Sequence, residues 1–378
     1  MKGRRIAFLA NTAWSMYNFR MSTLTMLQKL GAEVIVIAPP DDYSVRFSSF
    51  GIRFVPLYRL KAKGTNPLAD FRLYQEFIAV FKRIEPHLLI SYTIKPNIYG
   101  ILAARSLHIR SIAVITGLGY GIAKGGIMRA MVERLYRFSL RHASSVWFLN
   151  KDDHAYFTDR RMLGLAASKV IPGEGISVEH FKRKVAYPDG ETTKFIYSGR
   201  LLYDKGVADF VEAIRVLRKE GLAVEGVLLG FTDTLNPSAI SSDTVEAWER
   251  EGVIRYLGKT SDVRPFIEQI HCMVFPSYYS EGIPRCLLEA ASMEVPAITT
   301  DHVGCREVVI DNTTGFLTTP KDIASLVAGM RRFAQLPTEE RVSMGKAARD
   351  RVVQHYRDQF IHAIYVQQIN EILQSPAQ

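Results

Sequence analysis

Phe195-Ile196-Tyr197-Ser198-Gly199-Arg200-Leu201-Leu202-Tyr203-Asp204-Lys205-Gly206-Val207 is the stretch that decides how this chain folds. Phe195–Ser198 is an apolar run of strand length, Gly199 and Gly206 punctuate a turn, and Val207–Glu220 continues with apolar residues at helical spacing. A strand that passes through a glycine turn into an amphipathic helix is half of a βαβ unit. The same rhythm runs outward in both directions. Towards the C-terminus, Gly226–Leu229, Ile254–Leu257, Met273–Phe275 and Ala297–Thr300 read as strands, with a helix over Leu287–Met293 among the segments between them. Towards the N-terminus the strand-like runs are Arg5–Ala10, Glu33–Ala38, Leu88–Ser91, Ser111–Ile115 and Ser145–Leu149, with helices over Leu68–Ile84 and Ile127–His142. Such alternation predicts an α/β protein whose parallel sheets are covered by helices on both faces.

At 378 residues the chain exceeds what one core organises, so two doubly wound domains are expected. Pro172, Gly173, Gly175, Pro188, Asp189 and Gly190 punctuate a stretch without periodicity, which places the boundary there and makes it a hinge candidate. Beyond Pro320 the pattern is almost wholly helical. The last segment, Asp358–Leu373, carries Phe360, Ile361, Ile364, Tyr365, Ile369, Ile372 and Leu373 as a stripe that must dock on something.

Hydrophobic residues at 47% and charged residues at 23% exclude a disordered, collagen-like or coiled-coil chain. Cys272, Cys286 and Cys305 are odd in number and lack CxxC spacing, which supports neither a disulfide framework nor a zinc knuckle and fits a reducing cytoplasm. After Lys2, Arg4 and Arg5 only five apolar residues precede Asn11, too few for a signal-peptide core of about 7–15. No apolar run reaches the roughly 18 residues needed to cross a bilayer. The net charge of +10 is uneven: residues 1–185 hold 28 Lys and Arg against 12 Asp and Glu, and residues 186–378 hold 20 against 26. A basic half attracts nucleic acid, anionic lipid or phosphorylated substrates alike, so motifs must choose among them.

Two stretches carry chemistry. In the quoted turn, Arg200 can grip an anion with two hydrogen bonds and Lys205 supplies a mobile point charge, at the carboxyl end of a parallel strand where open α/β sheets bind ligands. In Ser280-Glu281-Gly282-Ile283-Pro284-Arg285-Cys286-Leu287-Leu288-Glu289, Gly282 permits close backbone approach and Pro284 suits a first helical position. The helix then points unpaired N–H groups and its positive end at whatever lies above Glu281 and Gly282. Eight residues of helix span about 12 Å, so Glu281 and Glu289 can bracket a nucleotide diphosphate.

Gly199-Arg200…Lys205-Gly206 followed by Glu281-x7-Glu289, each in a second nucleotide-binding half, resembles family 4 of the retaining glycosyltransferases. The resemblance spans nearly the whole chain and implies the GT-B architecture: two Rossmann-like domains facing a cleft, with the C-terminal helix returning to the first. It implies an acceptor-binding domain at 1–172, joined by helix 358–374, and a nucleotide-sugar-binding domain at 173–357. In the family, the residues matching Arg200 and Lys205 hold the donor diphosphate, that matching Glu281 contacts the transferred sugar, and that matching Glu289 binds the ribose. Gly199, Gly282, Ile283 and Pro284 belong to the same donor site, and Gly230 and Gly258 resemble the stretches lining the base pocket. A UDP-sugar is the donor so implied, with no metal and no other cofactor. The absence of Asp-x-Asp and of zinc-type His/Cys spacing agrees with that, and the absence of GxxxxGK[ST] and of a Gly-x-Gly-x-x-Gly after the first strand weakens ATPase and dehydrogenase readings.

In the first half, Asn11–Arg20 follows the first strand without the Gly-Gly turn common in the family. Arg20 near a helix start suits either an acceptor phosphate or a structural salt bridge. Ile115-Thr116-Gly117-Leu118-Gly119-Tyr120-Gly121 ends a strand and permits close approach at the expected cleft; Gly117, Gly119 and Tyr120 are acceptor candidates. It resembles the loop of bacterial enzymes that extend glycans on undecaprenyl diphosphate. No histidine lies between His108 and His142, so no general base is assigned. In Ile127–His142, Arg134, Arg137 and Arg141 recur at helical spacing, with Lys124 and Arg129 beside them and Met128, Met131, Leu135, Phe138 and Leu140 interleaved. That pattern fits docking on an anionic membrane surface at its cytoplasmic face, or a solvated basic face. The sequence therefore points to a glycosyltransferase using a lipid-linked saccharide acceptor. A sugar-nucleotide epimerase of the same fold is the alternative, and a nucleic-acid binder is less favoured because no reading module is present.

Overall fold

The computed structural model describes residues 1–61, 64, 66–123, 125–233 and 236–375, without the side chains of Tyr120 and Ala123. The chain divides into two compact units. The first comprises Met1–Gly175 together with the segment from Asp358 onward, and the second comprises Ile176–Arg357.

Unit 1 is built on β1 (Arg5–Leu9), β2 (Glu33–Ala38), β3 (Arg53–Pro56), β4 (Leu88–Tyr92), β5 (Arg110–Ile115), β6 (Ser145–Phe148) and β7 (Ala167–Val170). All pair in parallel, in the order β3-β2-β1-β4-β5-β6-β7. The central strands are buried on both faces, which is why their sequences read as unbroken apolar runs such as Leu88-Leu89-Ile90. Helices cover the sheet and start where side chains can serve orphan N–H groups: Thr12 caps Ala13–Lys29, and Asn66 caps Pro67–Ile84, where Pro67 costs nothing because a first-turn N–H has no partner. The final helix, Asp358–Gln374, packs on Ala13–Lys29. Ile361, Tyr365 and Ile369 form its buried edge; Trp147 meets the Tyr365 ring edge-on at 4.8 Å, and Ser22 donates to Asp358 over 2.7 Å. The stripe is narrower than the sequence suggested: Phe360 turns outward because only one residue per turn faces the sheet.

Unit 2 contains β8 (Thr193–Arg200), β9 (Val224–Phe231), β10 (Ile254–Tyr256), β11 (Cys272–Phe275), β12 (Ala297–Thr300) and β13 (Gly315–Thr318) in the order β10-β9-β8-β11-β12-β13. One apolar cluster runs through both faces of this sheet. β8 and β9 pair over eight residues, twice the length of their apolar runs, ending with Gly199 opposite Gly230 and Arg200 opposite Phe231. A side chain at Gly230 would lie 1.8 Å from the Gly199 carbonyl oxygen, so these strand ends close together only with glycine there. Among the described residues no helix is long and apolar enough to cross a membrane.

Candidate functional site

In each unit the strand order reverses once, between β1 and β4 and between β8 and β11. The loops leaving such a pair part to opposite faces and open a crevice at the carboxyl ends of the strands. In unit 2 the crevice is bounded by Arg200 at the end of β8 and by Pro276-Ser277-Tyr278-Tyr279 after β11.

β8 leads into a short 3₁₀ turn, Tyr203–Lys205, closed by Gly206 at φ +73°. A side chain on Gly206 would stand 2.2 Å from the Pro276 carbonyl oxygen, so glycine lets this turn lie directly on the loop after β11. The contact is sealed by the Tyr278 N–H, which donates to the Asp204 carbonyl over 3.1 Å. Lys205 is thereby delivered to Glu281, with Nζ 2.6 Å from Oε1 and both side chains largely shielded, and lies over the rings of Phe275 and Tyr279. Ser277 Oγ donates to the same Glu281 oxygen over 3.4 Å and accepts from the Tyr279 N–H. Arg200, about one-third exposed, stands 3.4 Å from Asp233. The Tyr279 hydroxyl feels the whole cluster: burial raises its pKa first and the Glu281 charge adds to this, while Arg200 opposes. Asp204 holds one carboxylate oxygen, Oδ1, buried with no donor reaching it among the described residues.

The second chemistry-bearing stretch packs onto the first. Helix Arg285–Ser292 begins one residue later than the sequence suggested, because Pro284 is extended (ψ 116°) and serves as the N-cap residue. Gly282 and Ile283 lead into it. Gly304, at φ +79°, would put a side chain 2.4 Å from the Gly282 carbonyl oxygen and 2.7 Å from that of Glu281, so the loop after β12 buttresses this backbone. Glu289 is held by Arg285 one turn earlier at 3.0 Å; burial raises its carboxyl pKa and Arg285 opposes that rise. Glu281 and Glu289 thus have separate cationic partners. Gly199, Gly230 and Gly258 come together beside Arg200, the Gly230 N–H donating to the Gly258 carbonyl over 2.9 Å and the Tyr256 hydroxyl to the Gly230 carbonyl over 3.1 Å. The structure therefore gathers the candidates of this half at one end of one sheet.

Unit 1 agrees less well with the sequence reading. Arg20 is buried, its guanidinium 2.7 Å from Glu174 and 3.9 Å above the Tyr92 ring, while Tyr365 donates to the other Glu174 oxygen over 3.2 Å. Of its two readings the structure takes the salt bridge, and the assignment to an acceptor phosphate is corrected. Gly117 and Gly119 follow the carboxyl end of β5. At Gly119, φ +70°, a side chain would meet Ile94 at 2.9 Å, so packing alone accounts for that glycine. The Tyr120 side chain and Lys124 lie outside the described residues. The crevice residues that sequence reasoning missed are Asn11 and Thr93, at the ends of β1 and β4. Thr93 adopts φ +72°, strained for a β-branched residue, and donates to Asn11 Oδ1 over 2.6 Å. Only the strand order singles them out. Ser277 and Tyr279 were missed for the same reason, although they directly follow a predicted strand.

Helix Gly126–Leu140 buries Val132, Tyr136, Ser139 and Leu140 and exposes Arg129, Arg134 and Arg137, with Arg141 just beyond. Ile127, Met131 and Phe138 share that outer face; Ile127 is 90% exposed, and Arg141 lies over the Phe138 ring. The exposed side carries basic and apolar residues together.

Residues 178–351 match the family model "Glycosyl transferases group 1" and residues 20–172 match "Glycosyl transferase 4-like domain". The chain is 28% identical to the N,N'-diacetylbacillosaminyl-diphospho-undecaprenol alpha-1,3-N-acetylgalactosaminyltransferase of Campylobacter jejuni, over 85% of this chain and 87% of that protein. It is 24% identical to the capsular polysaccharide biosynthesis glycosyltransferase CapM of Staphylococcus aureus, over 96% and 95%. Among solved structures, Anabaena Alr3699/HepE in complex with UDP superimposes with a TM-score of 0.79 at 16% identity, covering 98% of this chain and 100% of that one, which shows a shared GT-B fold.

Proposed function

From the premise that the chain belongs to the glycosyltransferases joining a glycosyl transferase 4-like domain to a group 1 domain, we propose that it moves a hexose or N-acetylhexosamine from a UDP-sugar to a saccharide carried on undecaprenyl diphosphate. The observation that carries this reading is the Lys205–Glu281 pair at the strand-order reversal of unit 2, with Arg200 and the amino end of helix Arg285–Ser292 beside it. The donor diphosphate attracts Lys205 away from Glu281, which then accepts hydrogen bonds from hydroxyls of the transferred sugar. Glu289 takes the ribose, and the backbone at Gly230 and Gly258 borders the base, with open space above Gly258.

Transfer retains the anomeric configuration. The bond from the sugar's anomeric carbon to the β-phosphate oxygen breaks, and Arg200, Lys205 and the helix dipole neutralise the charge that grows on that phosphate. The acceptor hydroxyl oxygen bonds to the same face of the anomeric carbon and gives its proton to the leaving phosphate oxygen, so no protein base and no metal are required. UDP leaves with that proton. Unit 1 binds the acceptor. Its helix Gly126–Leu140, with Arg129, Arg134, Arg137 and Arg141 around Ile127, Met131 and Phe138, rests on the cytoplasmic face of an anionic membrane. The names of the Campylobacter and Staphylococcus relatives and the UDP in the Anabaena complex support the substrate classes and a place in bacterial glycan assembly.

The test incubates the purified protein with undecaprenyl-diphosphate-linked saccharides and a panel of UDP-sugars and weighs the lipid products. One added hexose or N-acetylhexosamine is expected. No increment with any donor, or interconversion of the free UDP-sugar instead, overturns the reading.

A further inference from the structure

All strands of unit 1 run the same way, so its sheet has a second end, opposite Asn11, Thr93 and the glycine loop. There, at the amino ends of β1, β4, β5 and β6, lies a cavity of about 630 Å³ with a partly apolar floor and a rim of Arg4, Lys82, His87, Arg105, Arg110 and His142. Cations are expected near helix carboxyl ends, and helices Pro67–Ile84, Ile101–Ser106 and Asp358–Gln374 all finish at this face. Arg110 fulfils that role by donating to the carbonyls of Leu373 and Ser375. The single acid of the rim, Glu85, is engaged by Arg5. The side chains of Arg4, Lys82 and Arg105 reach no carboxylate or carbonyl among the described residues. Arg110 caps by direct hydrogen bonds, and Lys82 and Arg105 stand in the last turns of their helices, where the dipole favours them; Arg4 belongs to no helix, and the four cations converge on one cavity at mutual electrostatic cost.

The imidazoles complete a donor surface. His87 Nδ1 accepts the Arg5 main-chain N–H over 3.0 Å, which puts its own proton on Nε2; His142 Nε2 accepts from Arg141 Nε over 3.2 Å, which puts the proton on Nδ1. Burial, reinforced by neighbouring arginines, holds both rings below the ordinary histidine range, so at neutral pH each is an uncharged N–H donor.

We propose that this pocket binds a phosphate group, carried by a soluble ligand or by a lipid headgroup. Guanidinium forks, an ammonium and two imidazole N–H groups around one cavity match the several acceptor oxygens of a phosphate, and the apolar floor accommodates what the phosphate is attached to. The inference stands independently of the transferase reading.

The test records the His87 and His142 imidazole NMR signals of the full chain at low salt. Inorganic pyrophosphate is titrated in one arm and phosphatidylglycerol vesicles in another, with phosphatidylcholine vesicles as control. Both signals are expected to move, and both rings to titrate at higher pH, because a bound anion favours the imidazolium. The double variant Lys82→Gln/Arg105→Gln, altered only at exposed positions, should weaken the response at least tenfold while the histidine signals of unit 2, among them His180, His271 and His302, stay in place. A His87 response to pyrophosphate identifies a soluble ligand, and a His87 response to phosphatidylglycerol vesicles alone identifies a headgroup; His142 moving alone reports helix Gly126–Leu140 on the vesicle, because Arg141 and Phe138 touch that ring, and overturns the proposal. Pyrophosphate bound in unit 2 is told apart by the double variant, which leaves such a response unchanged. Signals unmoved by both probes, or moved equally in the double variant, overturn the proposal.

Discussion

Two cations flagged in the sequence for the same task, anion binding, turn out to be held in opposite ways. Lys205 is paired with Glu281 at a crevice, where a diphosphate can compete for it; Arg20 is sealed against Glu174 beneath two tyrosines, where nothing can. Lys205→Ala is accordingly expected to lower kcat by about 10²–10³-fold, the usual loss when one transition-state donor is removed, with little change in circular dichroism. Unchanged turnover in a steady-state assay would remove Lys205 from the mechanism. Arg20→Met leaves Glu174 charged and buried, which should cost about 3–5 kcal/mol in urea unfolding, whereas Arg20→Met/Glu174→Met should recover most of that loss. An acceptor-binding role for Arg20 would instead raise the acceptor KM in both variants. Nothing in the local sequence separates these two residues: the partner of Arg20 lies 154 positions away.

Elements were legible where their residues form an unbroken apolar run. The inner strands β1, β2, β4, β5, β11 and β12 announce themselves as apolar runs because helices cover both their faces. Of the edge strands only β10 was read; β3, β7 and β13 were not, since Ser168 and Lys169 of β7 and the terminal Gly315 and Thr318 of β13 carry no such signature. The extension of β8 and β9 through Gly199 and Gly230 was hidden for a related reason: glycine reads as a turn, and only the register shows two glycines facing each other. A junction between elements yields a further expectation. His271, one residue before β11, accepts the Lys194 N–H of β8 at Nδ1 over 2.9 Å and meets the Pro188 carbonyl at 3.2 Å. Burial, aided by Arg341, lowers its pKa to about 4. Between about 4 and 6.5 the unfolded chain therefore binds a proton that the folded chain refuses. Stability is fullest above pH 6.5 and falls as the pH drops towards 4, by on the order of 3 kcal/mol. In His271→Asn the urea midpoint should lose this portion of its pH dependence; an unaltered profile would show that the ring is not the group responsible.

At the scale of the molecule, the alternation of strands and helices shows two domains and the family resemblance implies the return of the last helix, but neither shows the strand order, and with it the crevices that pick out Ser277, Tyr279, Asn11 and Thr93. Strand order depends on which runs pair across long separations, a property no local pattern encodes. The structure also refines the charge asymmetry. Unit 1, including the returning C-terminal segment, holds 25 Lys and Arg against 13 Asp and Glu, and unit 2 holds 23 against 25. The units are therefore +12 and −2, a sharper account of where the basicity lies than the division of the chain at residue 185. On the proposed function, a field so distributed would act on a membrane-borne acceptor and hardly on a donor held by short contacts to Lys205, whose side chain is largely shielded. Screening lengths fall from about 10 Å at 0.1 M salt to about 3 Å at 1 M. Raising salt across that range should release the protein from phosphatidylglycerol vesicles and raise the apparent KM for a vesicle-borne acceptor at least tenfold. The KM for the UDP-sugar should change less than about threefold, because the proposed grip of Lys205 and Arg200 on the diphosphate works at hydrogen-bonding distance, within the screening length. Steady-state kinetics with each substrate varied in turn, alongside vesicle sedimentation, measures both. Equal loss of affinity for the two substrates would mean that the basic unit does not serve as the membrane-facing, acceptor-binding one.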